Sequence, residues 1–181
     1  MQILNGFGCR IMAVDPFEKE ELKKRFFVSY THLDNLIEQC VVIILSVPLT
    51  SDTFHLIDKS KLDLMQKETL LINVARGAVV HTQDVLEYVD KNRISGYATD
   101  VYDKESGVFF YDRSKNKPHD ATLDKMLTQD RILLTPHQAF ATKEALENIA
   151  QTTVENLSSW QQGRHPKNTL LPANQVHVDD H

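Results

Sequence analysis

Apolar positions along the chain gather into short runs, and the segments between them carry apolar residues at helical spacing. Residues 10–14, 26–30, 41–47, a run opening at Leu70, 96–101 and 132–135 each read as a strand. The run 41–47 is unbroken β-branched and aliphatic sequence stopped by Pro48, the pattern of a strand covered on both faces. Gly6-Phe7-Gly8 reads as a helix C-cap, and 18–25 as a charged helix. Thr31, with Asp34 at the capping-box position, opens a helix whose Leu33, Leu36 and Ile37 face inward. A short helix is predicted near 59–65, and Thr82 caps another with Val85, Leu86 and Val89 on one face. Between 106 and 122 the chain is irregular and rich in charge and aromatics. That is too long for a connector, so it reads as a functional loop or an oligomer contact. Thr142 caps a long helix with Leu146, Ile149, Thr153, Leu157 and Trp160 at helical spacing, ended by Gly163 and Pro166.

Strands alternating with helices of this size predict an α/β fold with a doubly wound parallel sheet and right-handed crossovers. Four of the strands run into an ionisable residue: Asp15, Arg76, Asp100 and His137. In a parallel sheet those ends share one edge, the edge at which open α/β folds bind ligands. The stretch 70–80 anchors this reading, because Arg76 is its single charge between two apolar runs. A guanidinium there stays charged and grips a carboxylate through two parallel hydrogen bonds.

At 181 residues the chain fits one domain with a sizeable core. A net charge of -5 and a pI near 5.9 exclude the concentrated basic face that nucleic acids or anionic membranes require. The apolar run 41–45 is far too short to span a bilayer, and the N-terminus carries no basic or long apolar leader, so a cytoplasmic location is expected. Cys9 and Cys40 lack metal-ligand spacing and read as buried free thiols rather than a disulfide framework. The tail 176–181 holds two histidines and two acids, and no metal site is expected there.

Three motifs in order are specific. Asn73-Val74-Ala75-Arg76-Gly77, Thr99-Asp100-Val101-Tyr102 with Glu105, and Thr135-Pro136-His137-Gln138-Ala139-Phe140 resemble the NAD-dependent D-isomer-specific 2-hydroxyacid dehydrogenases. Phe109-Phe110-Tyr111-Asp112 and the run into Thr142 and Glu144-Ala145-Leu146 resemble most the fermentative D-lactate dehydrogenases. The resemblance covers nearly the whole chain. It implies that Arg76 orients a 2-oxo acid, that His137 donates the proton to its carbonyl oxygen, and that Glu105 pairs with His137. A carboxylate beside an imidazole favours the protonated ring, which is the acid that ketone reduction needs. For the cofactor, NAD, it implies that Asp15 binds the adenosine ribose, Val47 and Pro48 wall the adenine side, Thr53 contacts the cofactor loop, and Ala75 and Asp100 lie on the nicotinamide side.

The departures from the family are also informative. His81 stands where the family more often has Asp or Asn, and Asp103 where Glu is usual. No Gly-x-Gly-x-x-Gly occurs in the chain, and Gly6-Phe7-Gly8 precedes the second strand of the pattern instead of following the first. The resemblance therefore implies a partial Rossmann-like sheet lacking its first strand and glycine loop. Residues 1–141 form part of the NAD-binding domain, and 142–181 form a helix and tail that pack on a catalytic domain outside this sequence. The loss of a central strand should leave two unpaired sheet edges, and part of the long helix should be exposed and promote association. The function implied is conversion of pyruvate and NADH to D-lactate by a protein of which this is the C-terminal part, inactive alone. A glyoxylate or hydroxypyruvate reductase is the near alternative, and a non-catalytic NAD-sensing or partner-binding module the distant one. A 2-oxo or 2-hydroxy acid, with no nucleic acid and no membrane, is the implied partner, and the full-length protein is expected to be a homo-oligomer.

Overall fold

The computed structural model describes residues 1–113, 115, 120–166 and 168–169. The tail 176–181 and part of the 106–122 loop lie outside them. In order, the elements are α1 (Gln2–Gly6), β1 (Met12–Ala13), α2 (Glu20–Phe26), β2 (Ser29–Tyr30), α3 (Leu33–Gln39), β3 (Val42–Leu45), α4 (Lys59–Leu62) and β4 (Leu70–Asn73). A 3-10 turn, Gly77–Val79, leads to α5 (Thr82–Asp90), β5 (Gly96–Thr99), α6 (Ala121–Thr128), β6 (Ile132–Leu134) and α7 (Lys143–Gln161). The chain divides into two units, Met1–His137 and Gln138–His181.

In the first unit every strand pairing is parallel. β3, β4, β5 and β6 form one sheet in that order, and β1 and β2 form a separate pair. The gap between these sheets matches the expected absence of a central strand. Two cores follow the same division. The larger contains Ile43, Leu45 and Leu71 from the strands with Ile37, Leu62, Val85 and Val89 from the helices, and the smaller buries Ile11, Ala13 and Val28. Helix α5 buries Val85, Leu86 and Val89 as its spacing predicts, together with Tyr88. Burial and the neighbouring Asp63 push the Tyr88 hydroxyl up to about 12.

Several local expectations are corrected. β3 is covered on one face only: Ile43 and Leu45 are buried, whereas Val42 and Ile44 are 48% and 42% exposed. Its register sets Ile44 beside Ile72, then Ala98 and Leu133, a row that does not enter the larger core. A β-branched run registers strand propensity, but packing decides which faces are covered. Thr31 is not a cap; His32 holds that position, and the Thr31 hydroxyl instead accepts from Asn35 Nδ2 at 2.6 Å. Asp34 turns outward to pair with Lys61. Thr82 is the first helical residue behind His81, and Asp84 in that turn accepts from the Lys59 amide at 3.0 Å. Cys9 is exposed, while Cys40 is partly buried with its thiol pushed up by burial; both are free.

The last two residues of the 106–122 stretch, read from sequence as irregular, open α6, an element absent from the predicted pattern. Asp120 caps it, accepting from the amides of Thr122 and Leu123 at 3.0 and 3.1 Å, and Leu123 and Met126 are buried beneath it. The other Asp120 oxygen accepts from the buried Tyr102 hydroxyl at 2.7 Å. Burial raises the Asp120 carboxyl, but the bonds from Tyr102, Leu123 and Thr122 outweigh it and hold the group below its ordinary value. Its contribution is therefore present above the ordinary carboxylate range and is lost as pH falls through the lowered value. Asp120→Ala is expected to cost about 2–3 kcal/mol, the sum of a lost cap and an orphaned tyrosine hydroxyl. Urea unfolding of the chain at neutral pH checks this, with the difference shrinking in acid.

In the second unit, α7 starts where predicted, with the Thr142 hydroxyl accepting from the Ala145 amide at 3.2 Å. It ends at Gly163, whose φ of +70° suits a residue without Cβ, with the Arg164 amide reaching back to Ser159 O. None of its residues is buried, and Leu146, Ile149, Val154, Leu157 and Trp160 are all exposed. No helix among the described residues is long and apolar enough to cross a membrane.

Candidate functional site

The carboxyl ends of three neighbouring strands, β4, β5 and β6, carry the densest polar constellation. β4 ends at Asn73, which is fully buried, and the chain turns sharply through Val74 and Ala75 to Arg76. The Asn73 carboxamide spans that turn: its Oδ1 accepts from the Ala75 amide at 3.0 Å and its Nδ2 donates to Arg76 O at 2.9 Å. Arg76 is exposed, donates to Ala75 O through Nη1 at 2.7 Å, and has no carboxylate partner among the described residues. It is a guanidinium at a sheet edge with its charge unpaired by any carboxylate among the described residues, as an anion clamp requires.

Gly77 then passes against the loop that follows β5. A Cβ at this position would lie 2.1 Å from Asp103 N and 2.2 Å from Tyr102 C, so only glycine fits. The loop facing it presents Glu105. One oxygen of Glu105 accepts from the Tyr102 amide at 3.2 Å, and the other lies 3.0 Å from His137 Nδ1. Tyr102 is itself anchored through its hydroxyl to Asp120, and burial followed by that bond pushes the hydroxyl well above its ordinary value. His137 follows Pro136 at the end of β6 with a φ of +49°, and the Phe110 ring stands 6.1 Å away. The left-handed backbone at a non-glycine residue is a local strain that surrounding structure must hold. Asp100 is buried at the end of β5 and accepts from the Thr135 hydroxyl at 2.5 Å.

A groove of about 470 Å³ opens at the same edge between the ends of β3 and β4. Val47, Pro48, Ala75 and Arg76 line it with Ser46, Leu49 and Val74. Thr53 lies apart from this lining. Its hydroxyl donates to Pro48 O at 2.5 Å and accepts from the Thr50 amide at 2.8 Å, so it shapes the 48–53 loop. Asp15 is exposed beyond β1, in the two-stranded sheet, and accepts from the Phe17 amide at 2.8 Å. The expected residues thus divide. Glu105 contacts His137, and the groove gathers Val47, Pro48, Ala75 and Arg76. Asp100 lies on the strand between those of Arg76 and His137, and Asp15 stands on the other sheet.

Asn73, Gly77 and Thr135 belong to the predicted motifs, but their places here come from contacts across turns and strands. The one sequence signal for Asn73 is a carboxamide closing an otherwise apolar strand.

Comparison with known proteins matches residues 1–139 to the family described as D-isomer specific 2-hydroxyacid dehydrogenase, NAD binding domain. A 2-hydroxyacid dehydrogenase from Aspergillus oryzae is 39% identical over 170 residues, 94% of this chain and 48% of that protein. The D-lactate dehydrogenase of Escherichia coli is 34% identical over 171 residues, 94% of this chain and 52% of that protein. The solved pyruvate reductase of Chlamydomonas reinhardtii superposes with a TM-score of 0.88 at 32% identity, covering 92% of this chain and 51% of its own. The chain spans about half the length of the relatives it matches. With its parallel α/β sheet and with Asn73, Asp100 and His137 at that sheet's carboxyl edge, the chain belongs to the D-isomer-specific 2-hydroxyacid dehydrogenase family, residues 1–139 matching its NAD-binding domain.

Proposed function

We propose that this chain is the cofactor-binding part of an NAD-dependent dehydrogenase that reduces pyruvate to D-lactate. The observation that carries the reading is the His137–Glu105 pair, 3.0 Å from Nδ1 to Oε1, at the sheet edge that also bears Arg76, which has no carboxylate partner among the described residues. An NAD-sensing module has no use for a proton donor buttressed by a carboxylate. Relatives named D-lactate dehydrogenase and pyruvate reductase favour pyruvate within the family.

The groove between β3 and β4 would take part of the cofactor, with Val47 and Pro48 of its lining toward the adenine and the buried Ala75 toward the nicotinamide. Asp100 would lie toward the nicotinamide, Asp15 would take the adenosine ribose, and Thr53 would shape the loop that closes over it. A glycine-rich pyrophosphate cradle is not among the 181 residues. When bound, NADH supplies the hydride. Arg76 binds the carboxylate of the 2-oxo acid and orients its carbonyl. Glu105 holds His137 through Nδ1, which leaves the opposite ring nitrogen to give its proton to the carbonyl oxygen. The exposed apolar stripe of α7 supports packing of residues 142–181 on the remainder of the full-length protein, and that protein's assembly as a homo-oligomer.

The test follows NADH absorbance with the purified full-length protein and pyruvate, glyoxylate, hydroxypyruvate or phenylpyruvate. Pyruvate is expected to be used best, with D-lactate as the product. No NADH loss with any of them defeats the enzyme reading, and preference for another 2-oxo acid reassigns the substrate.

A further inference from the structure

We infer that Asn73 is a positioning residue for Arg76, and that its carboxamide, by locking the turn from β4, fixes the place of the guanidinium on the substrate. The inference rests on the dehydrogenase reading and goes beyond it, because Asn73 is fully buried and acts through its bond to Arg76.

Three observations converge on this residue. The first is its bonding. With one amide group it satisfies the Ala75 N–H and the Arg76 C=O, two polar groups that the end of a strand would otherwise leave without a ladder partner. The second is its place in the sheet. Asn73 is in register with Leu45 on one side and Thr99 on the other, so it is held in the middle of the β3–β4–β5 ladder. Its carbonyl receives the Asp100 amide at 3.1 Å and the Thr99 hydroxyl at 3.2 Å. The third is continuity. Thr99 O receives the Thr135 amide at 3.0 Å, and Thr135 O receives the His137 amide at 3.0 Å. One hydrogen-bonded line therefore runs from the Arg76 turn through Asn73, Thr99 and Thr135 to His137. Reducing a 2-oxo acid needs a carboxylate clamp and a proton donor at fixed separation, and misplacing either by an ångström is costly. Of this line only Asn73 bonds Arg76 directly, and a shorter or branched side chain cannot reach both the Ala75 amide and the Arg76 carbonyl.

Asn73→Asp separates this role from a general structural one. The aspartate keeps the shape and still accepts from the Ala75 amide, but it turns an oxygen lone pair toward the Arg76 carbonyl where the amide had offered a proton. When its carboxyl is protonated, the O–H restores the donor. In the full-length protein at pH 8, Asn73→Asp is expected to raise the KM for pyruvate and lower kcat, reducing kcat/KM about ten- to hundredfold. The Kd for NADH should stay within about twofold, because the Ala75 contact is kept. The ratio of variant to wild-type kcat/KM should climb as pH falls toward 5.5; taking the ratio cancels the shared dependence on His137.

A wild-type KM at pH 8, a flat ratio across pH, or a parallel loss of NADH affinity overturns the inference. If Asn73→Asp does not fold, Asn73→Ser carries the same KM-against-Kd comparison, with equal losses in both as the adverse result. If the unaltered protein reduces no 2-oxo acid, the dehydrogenase reading falls by itself. The hold on the Arg76 turn is then decided by NMR of the wild-type protein: slow exchange of the Asn73 side-chain amide protons supports it, and exchange at the rate of a free amide refutes it.

Discussion

On the proposed assignment, His137→Gln in the full-length protein is expected to lower kcat for pyruvate reduction about 10²–10⁴-fold, the usual worth of a positioned general acid, while NADH binding stays near its wild-type value. Glutamine keeps a polar group of similar reach, and its amide can still bond Glu105, so the geometry around the 3.0 Å pair is largely preserved. A glutamine cannot give up a proton to a carbonyl oxygen near neutral pH. Loss of turnover with retained cofactor affinity therefore isolates the proton-donating role. Stopped-flow reduction with the chemical step resolved makes the comparison, and a variant within tenfold of wild type would falsify the assignment. Because Glu105 is also fixed by the Tyr102 amide, it should keep its place in the variant. The altered protein should consequently unfold at nearly the wild-type denaturant concentration.

Gly77→Ala should be the most damaging single substitution for stability near the site. The added methyl would sit 2.1, 2.2 and 2.6 Å from three backbone atoms of Tyr102 and Asp103, none of which can swing aside as a side-chain tip can. The two loops must separate, at a cost of about 3 kcal/mol or more by the range for overpacking. That separation moves Arg76, one residue before Gly77, away from the loop that presents Glu105. Activity should then fall beyond what the unfolded fraction explains, and urea unfolding with kcat/KM on the folded protein measures both parts. A loss of less than about 0.5 kcal/mol, the range of ordinary surface changes, would show that the backbone yields more easily than its contacts indicate.

The sheet and its edge were readable from the chain because their signals are local. Leu70–Asn73 is apolar before a lone arginine, and the strand-ending positions of Asp100 and His137 follow from short runs with clear stops. Helix α6 was hidden because its Leu123 and Met126 follow a segment whose charges and aromatics read as loop, and its cap, Asp120, is one more acid among them. The one-sided burial of β3 was hidden for another reason. Val42 and Ile44 have the same strand propensity as Ile43 and Leu45, and only the packing around them distinguishes the two faces. Caps were misplaced by one residue at Thr31 and Thr82, where histidines without capping bonds precede the helix. Among the site residues, the contact between Glu105 and His137 spans 32 residues; the family resemblance implied it, and the adjacency of β5 and β6 brings the loop after one to the end of the other. The role of Asn73 depends on two bonds across a turn of three residues, and no apolar periodicity records such bonds.

The separation of β1 and β2 from the main sheet has a consequence for which parts of the chain open first. The main core buries residues from β3, β4 and β5 and from several helices, with β6 packed against it, whereas the pair β1–β2 rests on Ile11, Ala13 and Val28. With so little apolar burial and two-residue strands, the amides near 11–13 and 28–31 are expected to be among the least protected in hydrogen exchange, and those of β4 and β5 among the most protected. On the proposed assignment, Asp15 hangs from that weak piece while Arg76 and His137 stand on the strong one. The two ends of one dinucleotide site therefore differ in rigidity. A cofactor gripping both would spend part of its binding energy steadying the ribose end, so its hold on the adenosine would be the more sensitive to temperature and denaturant.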